Sequence, residues 1–319
     1  MTQLDSNLGL LFPGQGAQFP GMGRDWCAAH PEAQAVFDQA DEALGWKLSE
    51  ACFASEGDQV HRTDIAQPGI LTTSVAVIEV LRAQAGLDLS QAAFTAGLSL
   101  GEYTALWAAG SLSFADAVRL VRLRGEAMQA ASEAKPSGML ALAGATLEQA
   151  EALAAVGAPH GICSVANVNA PGQVVLSGEH PALDAAAAAA KEHGVRRAVK
   201  LTVAGAFHSE CMRPAADRLA QALTEVEISA PRVPFATNVT GERVEDPAQI
   251  REHLANQVCA PVLWDRCVRT ALSAGVQRFL EPAPGEVLAG LLRKIGKDAG
   301  AETEVLGFPT PESLSERLG

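Results

Sequence analysis

The sequence predicts an α/β protein built in two parts, and three observations support this. The chain of 319 residues is 48% hydrophobic and only 19% charged, so it can bury a large core. Aromatic residues make up only 5% of it, a balance that favours helices packed on a sheet over an all-β sandwich. Short apolar runs alternate with helical patterns, and the middle of the chain changes to a compact repeating unit.

The first 130 residues predict two strands, each followed by a turn that contains glycine. The first strand covers residues 8–12 and runs into the loop PGQGAQFPGMG, and the second covers residues 92–96 and runs into GLSLGE. Apolar residues at helical spacing predict helices over residues 31–52, 70–86, 100–109 and 114–131. This alternation favours a mainly parallel sheet.

Residues 131–204 have a different pattern and predict a small inserted subdomain. The segments GMLALAGA and VRRAVKLTV predict strands, TLEQAEALAAVG and HPALDAAAAAAKEHG predict helices, and GICSVANVNAPGQVVLSG predicts a hairpin that turns at NAPGQ. The resulting order βαββαβ is that of a ferredoxin-like unit.

The chain after residue 205 predicts elements that complete the first sheet. We expect helices over residues 212–226, 247–256, 262–274 and 286–295, and strands in RVPFATNV and VQRFLEP. Residues 1–130 and 205–319 are therefore assigned to one large subdomain, with residues 131–204 inserted between them.

Charge and cysteine usage argue against several classes of function. A formal net charge of -13 is unfavourable for binding nucleic acid. The start MTQLDSNLGL has no basic region, and no apolar run approaches the roughly 20 residues that cross a bilayer, so we expect a cytoplasmic protein without a membrane partner. Six cysteines without a CxxC pair and seven histidines without zinc-like spacing predict reduced thiols and no metal site.

Ser99 stands in the pentapeptide GLSLG, between the second strand and a helix. In that context G-x-S-x-G predicts a nucleophile elbow, because the two glycines relieve crowding and the helix N-terminus favours negative charge. The alternative is a tight turn that Ser99 merely caps. A nucleophile needs a base, and His208 in VAGAFHSE stands where active sites of open α/β sheets collect. For His208 the alternative is a capping or structural imidazole.

Six segments of the chain, in order, resemble the signature blocks of the malonyl-CoA:acyl carrier protein transacylases and of the related acyltransferase domains of fatty-acid and polyketide synthases. These segments are FPGQGAQ, GLSLGEYTAL, RLVRLRGEAMQ, NVNAPGQVVLSG, AFHSECMRPAA and NQVCAPVLW. The resemblance extends from about residue 8 to residue 292. It implies an α/β-hydrolase-like large subdomain with a ferredoxin-like insertion. It also implies transfer of malonyl from malonyl-CoA to the phosphopantetheine thiol of acyl carrier protein for fatty-acid synthesis, without a cofactor.

The same resemblance implies roles for residues of the reacting centre. Ser99 matches the serine that is acylated, and His208 matches its base. Gln257 in NQVCAPVLW matches the residue whose main-chain carbonyl orients the imidazole in place of an acid. The backbone amides of Gln15 and Leu100 match the oxyanion hole.

Further matches concern the substrate pocket. Arg124 in RLRGEAM matches the arginine that pairs with the free carboxylate of malonate; a guanidinium can hold that group through two charge-assisted hydrogen bonds and so select malonyl over acetyl. From helical periodicity alone, Arg124 could equally be a solvated side chain. Met128 matches a pocket-lining position, although a methionine there is also typical of a core. Phe207 resembles the malonyl-selecting form of its block, and Asn167 is expected to support the hairpin near the pocket, although turn chemistry explains it equally well.

Leu98 departs from the family pattern, in which histidine most often precedes the nucleophile. Leucine cannot form hydrogen bonds with its side chain, so we expect a changed pocket wall or rate with the activity retained. Three other functions stay open: a stand-alone acyltransferase of a polyketide pathway, a serine hydrolase or thioesterase that does not need Arg124, and a non-catalytic protein that keeps the fold. We expect the protein to be a monomer.

Overall fold

The computed structural model describes residue 4, residues 7–54 and residues 57–318. In this part of the chain the strands are Gly9–Phe12 (β1), Phe94–Gly97 (β2), Ser137–Ala143 (β3), Cys163–Ala170 (β4), Gln173–Glu179 (β5), Arg197–Lys200 (β6), Arg278–Pro282 (β7) and Glu304–Phe308 (β8). The helices are Arg24–Ala29 (α1), Pro31–Leu44 (α2), Leu48–Phe53 (α3), Thr63–Ala85 (α4), Gly101–Ala108 (α5), Phe114–Ala134 (α6), Leu147–Gly157 (α7), His180–Ala189 (α8), Arg213–Thr224 (α9), Pro247–Gln257 (α10), Trp264–Ser273 (α11), Val287–Ala299 (α12) and Glu312–Leu318 (α13).

The larger sheet is parallel, with the strand order β2-β1-β7-β8. Strands β1, β2 and β7 are almost entirely buried, as expected when helices cover a parallel sheet on each side, whereas the edge strand β8 is buried only at its last two residues. Leu10 packs in a core with α4 and α6, whereas its neighbour Leu11 packs in a core with α11 and α12. Phe12 lies opposite Gly97. The loops that follow β1 and β2 therefore leave the sheet at the same edge, where the candidate site forms.

The smaller sheet is antiparallel, with the order β4-β5-β3-β6, and its strands come from residues 137–200. Leucines of β3 and β5 pack with leucines of α7 and α8, so this unit has a core of its own. It is joined to the larger part where β4 meets residue 262, through hydrogen bonds from Val168 N to Val262 O and from Val262 N to Ala166 O. The predicted α/β class and the βαββαβ order are confirmed, while the exact subdomain boundaries stay a prediction.

Two predictions about individual elements are wrong. The predicted strand RVPFATNV forms only isolated bridges, of Phe235 with Thr95 and of Ala236 with Arg243. Pro234 has no N–H to donate, and Asn238 turns inward to bind the loop after β2. The predicted helix over residues 31–52 is two helices, α2 and α3, separated at Gly45, whose φ of 72° ends α2.

Helix α4 is long and apolar enough to cross a membrane, but 89% of its most apolar window is buried inside the protein. Such burial is typical of the central helix of a globular core. All six cysteines are free thiols.

Candidate active site

Ser99 lies in a left-handed turn between β2 and α5, with φ of 52°. The two glycines beside it are required by close contact. A Cβ atom on Gly97 would lie 1.9 Å from the main chain of Gly101, and one on Gly101 would lie 2.2 Å from the carbonyl oxygen of Phe12. The pentapeptide therefore forms a nucleophile elbow in which the chain turns through a space that admits no side chain on either flank.

His208 faces Ser99 and has the geometry of a general base. Its Nε2 lies 2.8 Å from Ser99 Oγ, and its Nδ1 lies 2.8 Å from the main-chain oxygen of Gln257. Since that oxygen can only accept, Nδ1 carries the proton and Nε2 is free to accept one from Ser99. Among the described residues no carboxylate is hydrogen-bonded to His208, so a main-chain carbonyl takes the place of the acid of a triad.

The imidazole is held in its neutral form. Burial, followed by the charge of Arg124, lowers the pKa of His208 from 6.5 to about 4. At neutral pH the ring is therefore unprotonated and ready to accept the Ser99 proton.

Arg124 projects from α6 into the same centre and is 1% exposed. Its Nη1 donates to Gln67 Oε1 at 2.6 Å, and its Nη2 donates to Ser99 Oγ at 3.0 Å and to Gln257 Oε1 at 2.9 Å. The guanidinium also lies 5.9 Å from the ring centre of Tyr103. The solvated alternative for Arg124 is excluded, because the side chain is a buried cation fixed beside the nucleophile.

A cavity of about 540 Å³ opens onto Ser99. Both parts of the fold line it, because Met139 and Val175 come from the smaller sheet. The residues predicted from the sequence that line it are Gln15, Ser99, Arg124, Met128, Asn167, Phe207 and His208. Leu98 also lines the cavity, as does His61, to which the sequence reasoning assigned no role. The volume suits an acyl thioester and part of its carrier arm.

Asn167 reaches the cavity because strand β4 is irregular there. The pairing of β4 with β5 shifts between Val165 and Asn167 and again between Val168 and Ala170. Such bulges redirect side chains, and both Asn167 and Asn169 line the cavity.

The amides predicted to form the oxyanion hole belong to Gln15, in the loop after β1, and Leu100, the residue after the nucleophile. Within the described chain, neither main-chain N–H donates to a protein acceptor. Gln15 lies at the cavity wall, and Leu100 begins the first turn of α5. Neither amide is therefore taken by the protein, and their joint role as an oxyanion hole stays a prediction.

Gln257 is predicted as a substrate-binding residue, but it is fully buried and is not part of the cavity wall. Its main-chain oxygen accepts from His208, and its side-chain oxygen accepts from Arg124. The geometry therefore assigns Gln257 to the support of the two reactive side chains, which agrees with the carbonyl role implied by the resemblance.

Three supporting residues were missed by the sequence reasoning: Gln67, Glu102 and Asn238. Asn238 binds the main chain on the strand side of the nucleophile, since its Oδ1 accepts from Ser99 N at 2.7 Å and its Nδ2 donates to Gly97 O at 2.8 Å. Asn238 is 139 residues from Ser99 in the sequence, and no local pattern marks it.

Across the described residues, no cluster of three or more His, Cys, Asp or Glu side chains could hold a metal ion.

Comparison with known proteins shows the family of this chain. Residues 10–313 match the model of the acyl transferase domain family. The chain is 41% identical over 313 residues to the malonyl CoA-acyl carrier protein transacylase of Bacillus subtilis, covering 97% of this chain and 95% of the relative.

Solved structures of similar proteins agree with this family assignment. The acyl-carrier-protein-S-malonyltransferase of Bartonella henselae superposes with a TM-score of 0.91 at 39% identity over 98% of each chain. A malonyl-transacylase solved in complex with a type II PKS acyl-carrier protein superposes with a TM-score of 0.90 at 34% identity, covering 98% of this chain and 99% of the other. With the elbow, the base and the buried arginine in place, the chain belongs to the acyl transferase domain family.

Proposed function

We propose that this enzyme transfers a malonyl group from malonyl-CoA to the phosphopantetheine thiol of acyl carrier protein, through a malonyl ester of Ser99, and so supplies fatty-acid synthesis. The names of its relatives support the reaction, and the site supports its steps. The observation that carries the choice of malonyl is the buried Arg124 guanidinium, whose Nη2 lies 3.0 Å from Ser99 Oγ.

In the first half of the reaction, Ser99 Oγ attacks the thioester carbonyl and His208 Nε2 takes the hydroxyl proton. The carbonyl oxygen gains negative charge as the C–O bond forms, and the amides of Gln15 and Leu100 are placed to bind it. When the C–S bond breaks, His208 returns the proton to the departing CoA sulfur. Malonyl-Ser99 and free CoA result.

The second half runs the same chemistry in reverse order with a new thiol. His208 removes the proton from the phosphopantetheine sulfur, which attacks the ester carbonyl. The Ser99 oxygen leaves and takes the proton back from His208. Every proton is thus carried by one imidazole, and no step requires a metal or an organic cofactor, so we propose none.

Arg124 makes the pocket selective for an acyl group that ends in a carboxylate. In malonyl the carboxylate is one methylene from the carbonyl that Ser99 attacks, so it must lie within a few ångströms of Oγ. The hydrogen bond from Arg124 Nη2 to Ser99 Oγ is one that this carboxylate can take over, and Arg124 Nε has no partner among the described residues. Acetyl leaves the buried cation without an anionic ligand. We therefore expect malonyl to be strongly preferred.

The test is the mass of the intact protein after brief mixing with malonyl-CoA or acetyl-CoA. Wild type should gain a malonyl adduct, Ser99→Ala should gain none, and Arg124→Ala should lose malonyl acylation by about 100-fold with little change in its reaction with acetyl-CoA. If Arg124→Ala lost acylation by malonyl-CoA and by acetyl-CoA equally, Arg124 would not be the source of selectivity. A malonyl adduct on Ser99→Ala would show that Ser99 is not the nucleophile.

The carrier defines a second candidate, transfer within a polyketide pathway. It is favoured by the likeness to a transacylase solved with a type II PKS acyl-carrier protein. Parallel rates of transfer to a fatty-acid carrier and to a polyketide carrier decide between the two. A cytoplasmic monomer without nucleic-acid or membrane partners stays part of the proposal, and sedimentation of the purified enzyme tests its oligomeric state.

A further inference from the structure

A buried carboxylate beneath the site has no part in the reaction described above. Glu102 follows Ser99 by three residues, in the first turn of α5, and is 1% exposed. Burial raises the pKa of Glu102 to about 7, while its hydrogen bonds and the charge of Arg124 oppose that rise. Burial of a carboxylate is unfavourable unless the group is hydrogen-bonded, so the partners of Glu102 indicate its role.

Its partners are the two residues that hold the reacting groups. Glu102 Oε2 accepts from Gln257 Nε2 at 2.5 Å and from the main-chain N–H of Asn238 at 3.3 Å. Gln257 in turn orients His208 through its main-chain oxygen and Arg124 through Oε1. Asn238 holds the main chain on the strand side of the nucleophile, at Gly97 O and Ser99 N.

The hydrogen-bonding partners on the two sides of Gln257 decide which way its amide faces. Its oxygen accepts from the Arg124 guanidinium and its NH₂ group donates to Glu102 Oε2, with a second bond from Nε2 to Ser99 O at 2.9 Å. If the amide rotated by half a turn, its NH₂ group would face the guanidinium donors and its oxygen would face the carboxylate. Glu102 therefore prevents the rotation by offering an acceptor at one fixed place.

We propose that Glu102 is a positioning residue: its Oε2 anchors Gln257 and Asn238, and through them sets the geometry of the nucleophile, the base and the arginine together. This role of Glu102 deepens the proposed function. The test that measures malonylation of Ser99 rests on that function. Because both hydrogen bonds converge on one oxygen atom, the decisive property is where that oxygen lies rather than the charge it carries.

Two substitutions separate position from charge. Glu102→Gln keeps an acceptor oxygen at the same reach and removes the charge, whereas Glu102→Asp keeps the charge and withdraws the oxygen by one methylene. Thr104→Val is the matched control, because Thr104 is buried on the same helix and its hydroxyl has no hydrogen-bond partner among the described residues. Thermal melting and titration of active sites normalise every rate to correctly folded enzyme.

Two rates are measured for each protein: malonylation of Ser99 in a single turnover, and labelling of Ser99 by an aryl sulfonyl fluoride, which has no carboxylate for Arg124. Glu102→Asp should slow both by about 100-fold, the cost of roughly an ångström of misplacement. Glu102→Gln should slow both by no more than about 10-fold, and Thr104→Val should slow neither. A role in helix stability alone would lower the melting temperature and leave the normalised rates unchanged.

The opposite order of the two variants, or wild-type rates in Glu102→Asp, would overturn the proposal. If Glu102→Asp does not fold, Gln257→Asn shortens the same bridge from the other side and should show the same slow rates. If the wild-type enzyme forms no malonyl adduct, the proposed function fails, but the sulfonyl fluoride rates still decide whether Glu102 positions the site.

Discussion

Ser99 and His208 are joined by a 2.8 Å contact between Oγ and Nε2, and both have left-handed backbone conformations, with φ of 52° and 60°. Across the described chain no other residue except glycine has a positive φ in the left-handed region. Such a conformation costs an ordinary residue about 1 kcal/mol or more. The surrounding contacts therefore hold Ser99 and His208 in a backbone conformation that each would otherwise avoid. At these two positions the conformation that reactivity requires lowers the stability of the fold.

This strain predicts a difference between two inactive variants. Ser99→Ala removes the hydroxyl and keeps the Cβ atom, while Ser99→Gly removes both and relieves the strain. Although glycine also gains entropy in the unfolded chain, we expect Ser99→Gly to have a free energy of unfolding roughly 0.5–1 kcal/mol above that of Ser99→Ala. Denaturant titrations measure it, and a glycine variant that is the less stable of the two would contradict the strain at Ser99.

The lowered pKa of His208 predicts how activity depends on pH. The base must be neutral, so the rate at which a sulfonyl fluoride labels Ser99 should stay level down to about pH 5 and fall as the pH drops through about 4. Arg124→Gln removes the second cause of the lowering and leaves burial, the larger one. The acid limb of that variant should move to higher pH, short of the ordinary histidine value. Circular dichroism shows over which pH range each protein is folded. Acid limbs that superimpose for wild type and Arg124→Gln would show that the Arg124 charge does not lower the pKa of His208.

The tight contact between Gly101 and β1 predicts that this glycine cannot be replaced. A Cβ atom there would lie 2.2 Å from Phe12 O and 2.8 Å from Pro13 O, so the start of α5 must move and take Ser99 and Leu100 N with it. We expect Gly101→Ala to lose about 1–3 kcal/mol of unfolding free energy and about 100-fold in the rate of acylation.

Gly290→Ala is the control for Gly101→Ala. Gly290 is exposed on α12, and a Cβ atom there meets nothing within 4 Å. It should gain up to about 1 kcal/mol of stability, because alanine favours a helix, with acylation unchanged. Acylation at the wild-type rate by Gly101→Ala would show that the elbow tolerates movement.

We expect an acidic carrier protein to dock on the smaller subdomain, at two exposed arginines. Arg196 and Arg197 make no ion pair with any described residue, whereas Lys200, in the same strand as Arg197, pairs with Asp184. Reversing both arginine charges to glutamate should slow malonyl transfer to carrier by about 10-fold at low salt, through slower association, and leave acylation by malonyl-CoA intact. Arg82→Glu, on the larger part, is the control. An equal effect on both half-reactions would locate the arginines at the CoA site instead.

Local sequence patterns predicted most of the architecture. The strand, elbow and helix around Ser99 follow from short apolar runs and from glycines whose roles are local, and the order of elements over residues 137–200 is as expected. Helices α1 and α13 and strand β8 were not predicted. The segment around Phe235 was wrongly predicted as a strand, because its apolar residues fill the core through tertiary contacts and not through a regular ladder.

The supporting layer of the site could not be predicted from local patterns. Ser99, His208 and Arg124 stand in recognisable segments, but what fixes them are hydrogen bonds between distant parts of the chain. Gln257 is 155 residues from Glu102, and Gln67 is 57 residues from Arg124. Polar residues such as Glu102 usually predict a solvated helix surface. Only the fold shows that this one is buried beneath the elbow.

The proposed function depends on a malonyl group that is held covalently on Ser99 for delivery to a carrier thiol. Malonyl-enzyme prepared with malonyl-CoA and freed of CoA is mixed either with carrier protein bearing phosphopantetheine or with buffer, and both proteins are followed by mass. We expect malonyl to leave the Ser99 peptide and to appear on the carrier far faster than malonate is released in buffer. Release of malonate at a rate that the carrier does not change would contradict it and identify a hydrolase.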